Sequence, residues 1–436
     1  MAETAPRIVY ITAGAGGMYC GSCLRDNALA AGLQKLGWDV TLLPLYTPIR
    51  VDDEDRSIDQ VFFGGINVFL QQKIPLFRYL PKFLDHWLDN PALIRRVSSK
   101  SISVKPKELG EMTLSMVRGE HGFQKKEVTR LVKWLRDEAK PDLICLTNLL
   151  VGGAIPALKR ELGIPVMVTL QGDDVFLDEL EEPWKSEVLK EMITLAKQAD
   201  GFITFSEFYR SEMGKLFGIP SEKFHLTPLG IHIEEFDPIY EHRSENHPGP
   251  VVGYFARICP EKGFDILVDA FIRLAERNPE VRLQAGGWLA EKDQGFFEQQ
   301  EEKIAAAGLQ DRFEYIGSPD QEGKIDFFRK TRVFCVPARF VEPKGLYLLE
   351  AMASGLPAVA PDRGALSEML SASGSGLLFE PENIEALATL LSDLVTDEER
   401  CKALGESGRE WVEGNCSREV MAGESARVFR NVLGEK

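Results

Sequence analysis

Two carboxylates, Glu342 and Glu350, stand eight positions apart in RFVEPKGLYLLEAMASGLPAVA, Arg339 to Ala360, around the predicted start of a short helix. The run before them, VFCVPA at Val333 to Ala338, is apolar, β-branched and short enough for a buried strand, whereas LYLLEAMAS after Gly345 is made of strong helix formers. Gly355 closes that helix, and PAVAP, Pro357 to Pro361, opens another strand. In such a strand-loop-helix unit the backbone N–H groups of Gly345, Leu346 and Tyr347 have no intrahelical acceptor and make an anion site. Glu342 on the loop and Glu350 about one turn inside the helix are then expected to be free to accept hydrogen bonds from ligand hydroxyls. The competing reading is a solvated helix start, where acids are favoured by the helix dipole.

A second glycine-rich turn, GAGGMY at Gly14 to Tyr19, begins like a dinucleotide fingerprint but has Tyr19 where the third glycine belongs. The strand that follows ends in LLPLY with no acid at its tip to hold a ribose, so a nicotinamide cofactor is not expected. Gly16, Gly17 and Gly21 remain candidates for bringing backbone close to a diphosphate or sugar, their register open. Cys20 and Cys23 form a C-x-x-C in this loop. Small residues lining a cleft is the favoured reading, ahead of a redox pair at a helix start and of a zinc site, for which further ligands are lacking.

The wording from Glu342 to Pro357, E-P-x-G-L-x-x-L-E-A-M-A-x-G-x-P, resembles the E-x7-E signature of retaining GT-B glycosyltransferases, in particular glycosyltransferase family 4. VVGYFARICPEKGFDILVDAF, Val251 to Phe271, looks like that family's strand, Arg, Lys-Gly and helix, and APDRGALSEMLSASGSGLLFEP, Ala360 to Pro381, like its closing loop and strand. The likeness runs through nearly the whole chain, weakly between Tyr46 and Lys140. It implies a retaining hexosyltransferase without a cofactor, using a UDP-, GDP- or ADP-sugar, and since no D-x-D that would hold a bridging metal stands out at a strand end, metal independence is expected. Arg257 and Lys262 would neutralise the departing diphosphate, since charge builds there as the bond breaks. Glu350 would hold the ribose and Glu342 the donor sugar, with the N–H groups of Gly345 to Tyr347 assisting, and the base would lie near Gly317, Ser318 and Pro319. The chain departs from the family at the end of VMVTLQ, where many relatives carry a catalytic-site His and this chain has Gln171. An amide can position a ligand but cannot titrate. Asp173 is read either as orienting or partly deprotonating the acceptor hydroxyl or as a helix cap, and Glu207 as the first acid of a helix. Runner-up readings are a phosphorylase- or epimerase-like relative and a non-catalytic sugar-nucleotide binder.

Elements must hold these groups in place. Short β-type runs alternate with helical patterns throughout, the signature of parallel sheets with crossover helices. Strands are expected at RIVYITA, DVTLLPLY, DLICLT, VMVTLQ, GFITFS and FHLTPLG, and then at VVGYFAR, RLQAGG, RFEYIGS, VFCVPA, PAVAP and GLLF. The fold class is therefore α/β, with two Rossmann-like doubly wound domains facing a cleft: residues 1–238 with an insertion at about 50–125, a linker at 239–250 within the polar stretch Glu234 to Pro250, residues 251–416, and a helix at 417–436 that crosses back to the first domain. VFFGGINVFLQQ reads as a hairpin about Gly64 and Gly65.

Composition fits this but cannot name an activity. A chain of 436 residues, 44% hydrophobic and 27% charged, is too long for one ordinary core. A net charge of -16 argues against general nucleic-acid binding. Seven scattered cysteines, the absence of a signal-like start and of any membrane-length apolar run predict a cytoplasmic protein. Between Gln71 and Lys107, eight Lys or Arg stand against two Asp, interleaved with Phe77, Tyr79, Phe83 and Trp87. This stretch reads as an amphipathic excursion packed on the first domain. The alternative is a basic flap holding a lipid-linked, phosphorylated or oligosaccharide acceptor, or touching the inner membrane face through Arg95, Arg96 and Lys100.

Overall fold

A computed structural model describes residues 5–14, 21–51, 54–79, 106–243 and 248–434. The chain divides into two compact units, residues 1–230 with 418–436, and residues 231–417. Each is built on one parallel six-stranded sheet.

In the first unit the strands are β1 (Arg7–Thr12), β2 (Asp39–Pro44), β3 (Leu143–Leu146), β4 (Val166–Thr169), β5 (Gly201–Thr204) and β6 (Phe224–Leu226), in the order β2-β1-β3-β4-β5-β6. Alternation along each strand sorts apolar side chains to two faces. Ile8, Tyr10, Leu42, Leu143 and Cys145 join Leu29 and Leu33 of the helix Gly21–Lys35 in one cluster. Val9, Ile11, Leu43, Ile144 and Leu146 belong to the other. The final helix, Arg418–Leu433, seats on the first of these clusters. Gly32 lets it come close, for a Cβ there would stand 2.7 Å from the Ala422 methyl, and Phe429 meets Trp38 edge-on with centroids 6.3 Å apart.

The second unit carries β7 (Val251–Phe255), β8 (Arg282–Gly286), β9 (Phe313–Tyr315), β10 (Val333–Cys335), β11 (Ala358–Pro361) and β12 (Gly376–Phe379), ordered β12-β11-β10-β7-β8-β9. Val252, Tyr254, Leu283, Ala285, Phe334 and Val359 are all buried. The fold class is thus two Rossmann-like α/β units, with strands at all twelve expected runs. Strand order reverses between β1 and β3 and between β7 and β10, and the carboxyl ends of strands at such reversals are where open α/β sheets bind ligands.

Two expectations are corrected. The predicted hairpin at Gly64 and Gly65 is instead the start of a helix, Gly65–Lys73, with Gly64 as its N-cap. Asn67 and Gln71, four positions apart on that helix, both donate to the buried Glu127 carboxylate, at 3.4 and 2.9 Å, so tertiary hydrogen bonds override the local Gly-Gly turn signal. The polar stretch beginning at Glu234 is not simply a linker. It lies in a 3-10 turn, Ile233–Phe236, and a helix, Asp237–Tyr240, of the second unit. There Phe236 is buried against Phe328, and Asp237 pairs with Arg409.

Candidate functional site

The geometry of the second unit's site begins with a glycine. After β7 the chain makes a 3-10 turn, Pro260–Lys262, and Gly263 follows at φ +70°. A Cβ at Gly263 would lie 1.9 Å from the Pro337 carbonyl oxygen, so only glycine allows the turn to rest on the end of β10. The loop leaving β10 is then clamped on both sides. Arg339 N–H donates to the Glu261 carbonyl at 2.9 Å, and its guanidinium forks onto Asp265 with both bonds at 2.6 Å. From the other side Ala365 N–H donates to the Glu342 carbonyl at 3.0 Å, and Arg363 donates to the Arg339 carbonyl at 2.6 Å.

This clamp delivers Glu342 to Lys262. The carboxylate is 5% exposed and the lysine 8%. Glu342 Oε2 accepts hydrogen bonds from Lys262 Nζ and from the Tyr347 hydroxyl at 3.0 Å. Among the described residues Oε1 makes none. Lys262 Nζ also stands 4.6 and 4.8 Å from the ring centres of Phe340 and Tyr347, within cation–π range. Burial alone would raise the Glu342 carboxyl, but the charge and hydrogen bond of Lys262, with the Tyr347 hydroxyl, outweigh it and hold it below the usual carboxylate range. Tyr347 is pushed well up, first by burial and then by Glu342.

The helix Leu346–Ala353 starts beside this cluster with Gly345 as N-cap at φ +77°, so the N–H groups of Leu346 and Tyr347 lie in its first turn, without intrahelical acceptors. Glu350 on the same helix pairs with Lys324 at 3.0 Å. Each acid thus carries a lysine counter-charge on one oxygen, because an unpaired buried or half-buried carboxylate is costly. Arg257, by contrast, is exposed just past β7, its carbonyl accepting from the Tyr254 hydroxyl at 2.8 Å. Gly317 adopts φ +72°, and its carbonyl accepts from Gly287 N–H at 2.7 Å. That bond ties the loops after β8 and β9. Ser318 and Pro319 follow, ahead of the helix Gln321–Lys330, whose N-cap is Asp320.

In the first unit the carboxyl end of β4 carries Gln171, 5% exposed, whose amide donates to the Thr147 carbonyl and hydroxyl, both at 2.8 Å. Asp173 is fully buried. It accepts from the backbone N–H of Leu149 at 2.7 Å and of Gln171 at 3.2 Å, fastening the loop after β3 to the loop after β4. Burial pushes its carboxyl up to about 7 against the pull of those two donors. The helix Asp173–Asp178 has Gly172 as its cap, so the capping reading of Asp173 is corrected. The Tyr209 hydroxyl donates to Asp174 at 2.6 Å and accepts from Gly172 N–H at 2.7 Å. Glu207 opens the helix Glu207–Phe217, which Ser206 caps through Tyr209 N–H.

Gly21 opens the helix Gly21–Lys35. Gly16, Gly17 and Cys20 lie outside the described residues, as do Arg95, Arg96 and Lys100. Cys23 is buried and accepts from the Thr12 hydroxyl at 3.8 Å. Among the described residues no three His, Cys, Asp or Glu side chains group as metal ligands, and no helix is long and apolar enough to cross a membrane. Sequence reasoning brought Lys262, Glu342 and Tyr347 to one region but missed Lys324, Phe340, Thr147 and the Tyr347 hydroxyl. These partners sit on separate elements, and no local pattern marks them.

Residues 237–411 match the family described as Glycosyl transferases group 1, and residues 27–230 match the Glycosyl transferase 4-like domain. The chain is 29% identical over 218 residues to mannosylfructose-phosphate synthase of Agrobacterium fabrum, covering 48% of each protein. It is 30% identical over 184 residues to the lipopolysaccharide core biosynthesis mannosyltransferase LpsB of Rhizobium meliloti, covering 42% of this chain and 52% of that one. The chain thus spans about half the length of these curated relatives. The crystal structure of Anabaena HepE in complex with UDP superposes with a TM-score of 0.70 at 17% identity, covering 98% of this chain and 100% of that one, a likeness of fold.

Proposed function

We propose, from the premise that this chain carries in order a glycosyl transferase 4-like domain and a glycosyl transferases group 1 domain on the GT-B fold, that it transfers a sugar from a nucleoside-diphosphate sugar to an acceptor hydroxyl with retention at the anomeric carbon. The observation that carries this reading is the Lys262–Glu342–Tyr347 cluster at a helix N-terminus. One oxygen of Glu342 is held by a cation and a phenol while the other is left to a ligand hydroxyl.

The chemistry follows from charge. As the sugar leaves, negative charge grows on the diphosphate, and Lys262, Arg257 and the first-turn N–H groups of Leu346 and Tyr347 supply fixed positive potential for it. Glu342 accepts from a hydroxyl of the donor sugar and Glu350 from the ribose. Gly317 to Pro319 border the base. These groups supply the cationic charge without calling on a bound metal. HepE was crystallised with UDP, which supports a uridine nucleotide among the three expected, and the name of LpsB supports an acceptor on a polysaccharide or glycolipid. Asp173 serves by holding the loops around Gln171.

Incubation with UDP-, GDP- and ADP-hexoses, following release of nucleoside diphosphate, tests the reading. Slow turnover of at least one donor is expected. Binding without any turnover over many hours would instead leave a sugar-nucleotide binder, and binding of none would remove the proposal.

A further inference from the structure

Lys324 places a positive charge where helix electrostatics oppose one. It is the fourth residue of the helix Gln321–Lys330, in the first turn, at the positive end of the helix dipole, and its side chain is only 13% exposed. Position and burial both disfavour an ammonium there, yet the turn holds it firmly. The Asp320 carboxylate accepts from Gly323 N–H at 3.0 Å, and Lys324 N–H donates to the Asp320 carbonyl at 2.9 Å. A Cβ at Gly323 would stand 2.6 Å from the Pro319 Cβ, so this first turn rests directly on the loop leaving β9. Gln321, at the head of the helix, donates to Glu235 and fastens it to the 3-10 turn Ile233–Phe236. A charge set against its local surroundings points to a functional site.

The bond from Lys324 to Glu350, 3.0 Å long, ties together the helices that lead into and out of β10, the strand beside which sheet order reverses. Lys324 is fourth and Glu350 fifth in a helix that follows the carboxyl end of a strand, so the pair stands at the edge of the sheet where ligands bind. Lys324 takes Glu350 Oε1. Oε2 accepts no hydrogen bond among the described residues and remains open to solvent. A carboxylate can only accept, so Oε2 is left for a ligand that donates. We infer that Lys324 is a positioning residue that fixes Glu350 with Oε2 open to a ribose hydroxyl, and that the pair lets this chain tell a ribonucleotide from a deoxyribonucleotide. The inference rests on the sugar-nucleotide reading above, which gives Glu350 the ribose, and adds to it the lysine on another helix that makes the contact selective. Without that ammonium the glutamate side chain samples several rotamers, and a hydroxyl must order it on binding.

Calorimetric titration of the full chain with UDP, GDP and ADP, and with their 2′-deoxy and 3′-deoxy forms, gives a ribose preference: the ratio of the dissociation constants of the deoxy and parent nucleotides, taken at the hydroxyl where it is larger. In the unaltered chain it should be about 10-fold or more, the worth of a hydrogen bond to a charged group. Lys324→Met and Lys324→Gln, which remove the charge, should lower it about 3- to 10-fold, and Lys324→Arg, which keeps a charge, should retain it. Lys324→Met combined with Glu350→Gln should lose no more than Glu350→Gln alone, since the lysine acts through the glutamate. A merely structural role would weaken parent and deoxy nucleotides alike and leave the ratio unchanged. That outcome in the two uncharged variants overturns the inference, as do an equal loss in Lys324→Arg and losses that add in the double variant. A ratio near one in the unaltered chain overturns it together with the hold of Glu350 on ribose, and failure to bind any nucleotide overturns the sugar-nucleotide reading itself.

Discussion

Lys262 and Glu342 can be buried side by side because each supplies the other's counter-charge and Tyr347 adds a hydrogen bond to the same oxygen. Among the described residues no such cation faces Asp173. Its carboxyl, pushed up to about 7, binds its proton more tightly in the folded protein than in the unfolded chain, where it titrates near 3.8. Stability from this group is therefore complete below about pH 4 and is lost as pH rises to about 7, by up to about 4 kcal/mol. Asp173→Asn removes the titration but leaves one of the two backbone donors without an acceptor, at about 1–3 kcal/mol. Urea unfolding from pH 4 to 8 should show the parent losing stability relative to this variant as pH rises. Parallel curves would contradict the assignment.

At the scale of elements, the decisive contact is the Pro260–Lys262 turn lying on the end of β10. Gly263→Ala places a Cβ against the Pro337 carbonyl in a left-handed backbone. Gly308 supplies the control, with φ +71° and nothing within 4 Å. Alanine there meets only the backbone strain, about 1–3 kcal/mol. Donor turnover should fall at least about 10-fold in Gly263→Ala as Lys262 shifts and stay near the parent's in Gly308→Ala; equal rates in the two variants would contradict the role given to the turn. The sequence carried the strands well because each is a short apolar run bounded by turn residues, and it carried the Glu342–Glu350 helix because Gly345 and Gly355 punctuate it. It did not carry the helix after Gly64, where Asn67 and Gln71 depend on Glu127 some 60 positions away. Nor did it carry the engagement of the two acids, since Lys262 and Lys324 reach them from other elements. Periodicity reports which face is buried but is silent on which distant side chain pairs with which.

At the scale of the whole chain, the last helix, Arg418–Leu433, belongs to the first unit, although the second unit lies between them in sequence. Phe429 is fully buried there beside Trp38. Phe429→Ala should cost about 3–5 kcal/mol and lower the melting temperature of the first unit, and an unshifted unfolding curve would refute that docking. Lys262 and Glu342 are proposed to act on a sugar nucleotide. That action is tested most directly by the rate of nucleoside diphosphate release from the hexose donor that the unaltered protein turns over, compared among that protein, Glu342→Gln and Lys262→Ala. A loss of about 100-fold or more in each variant, with far-ultraviolet circular dichroism unchanged, is the expected result, and a near-parental rate in either would remove that residue from the chemistry.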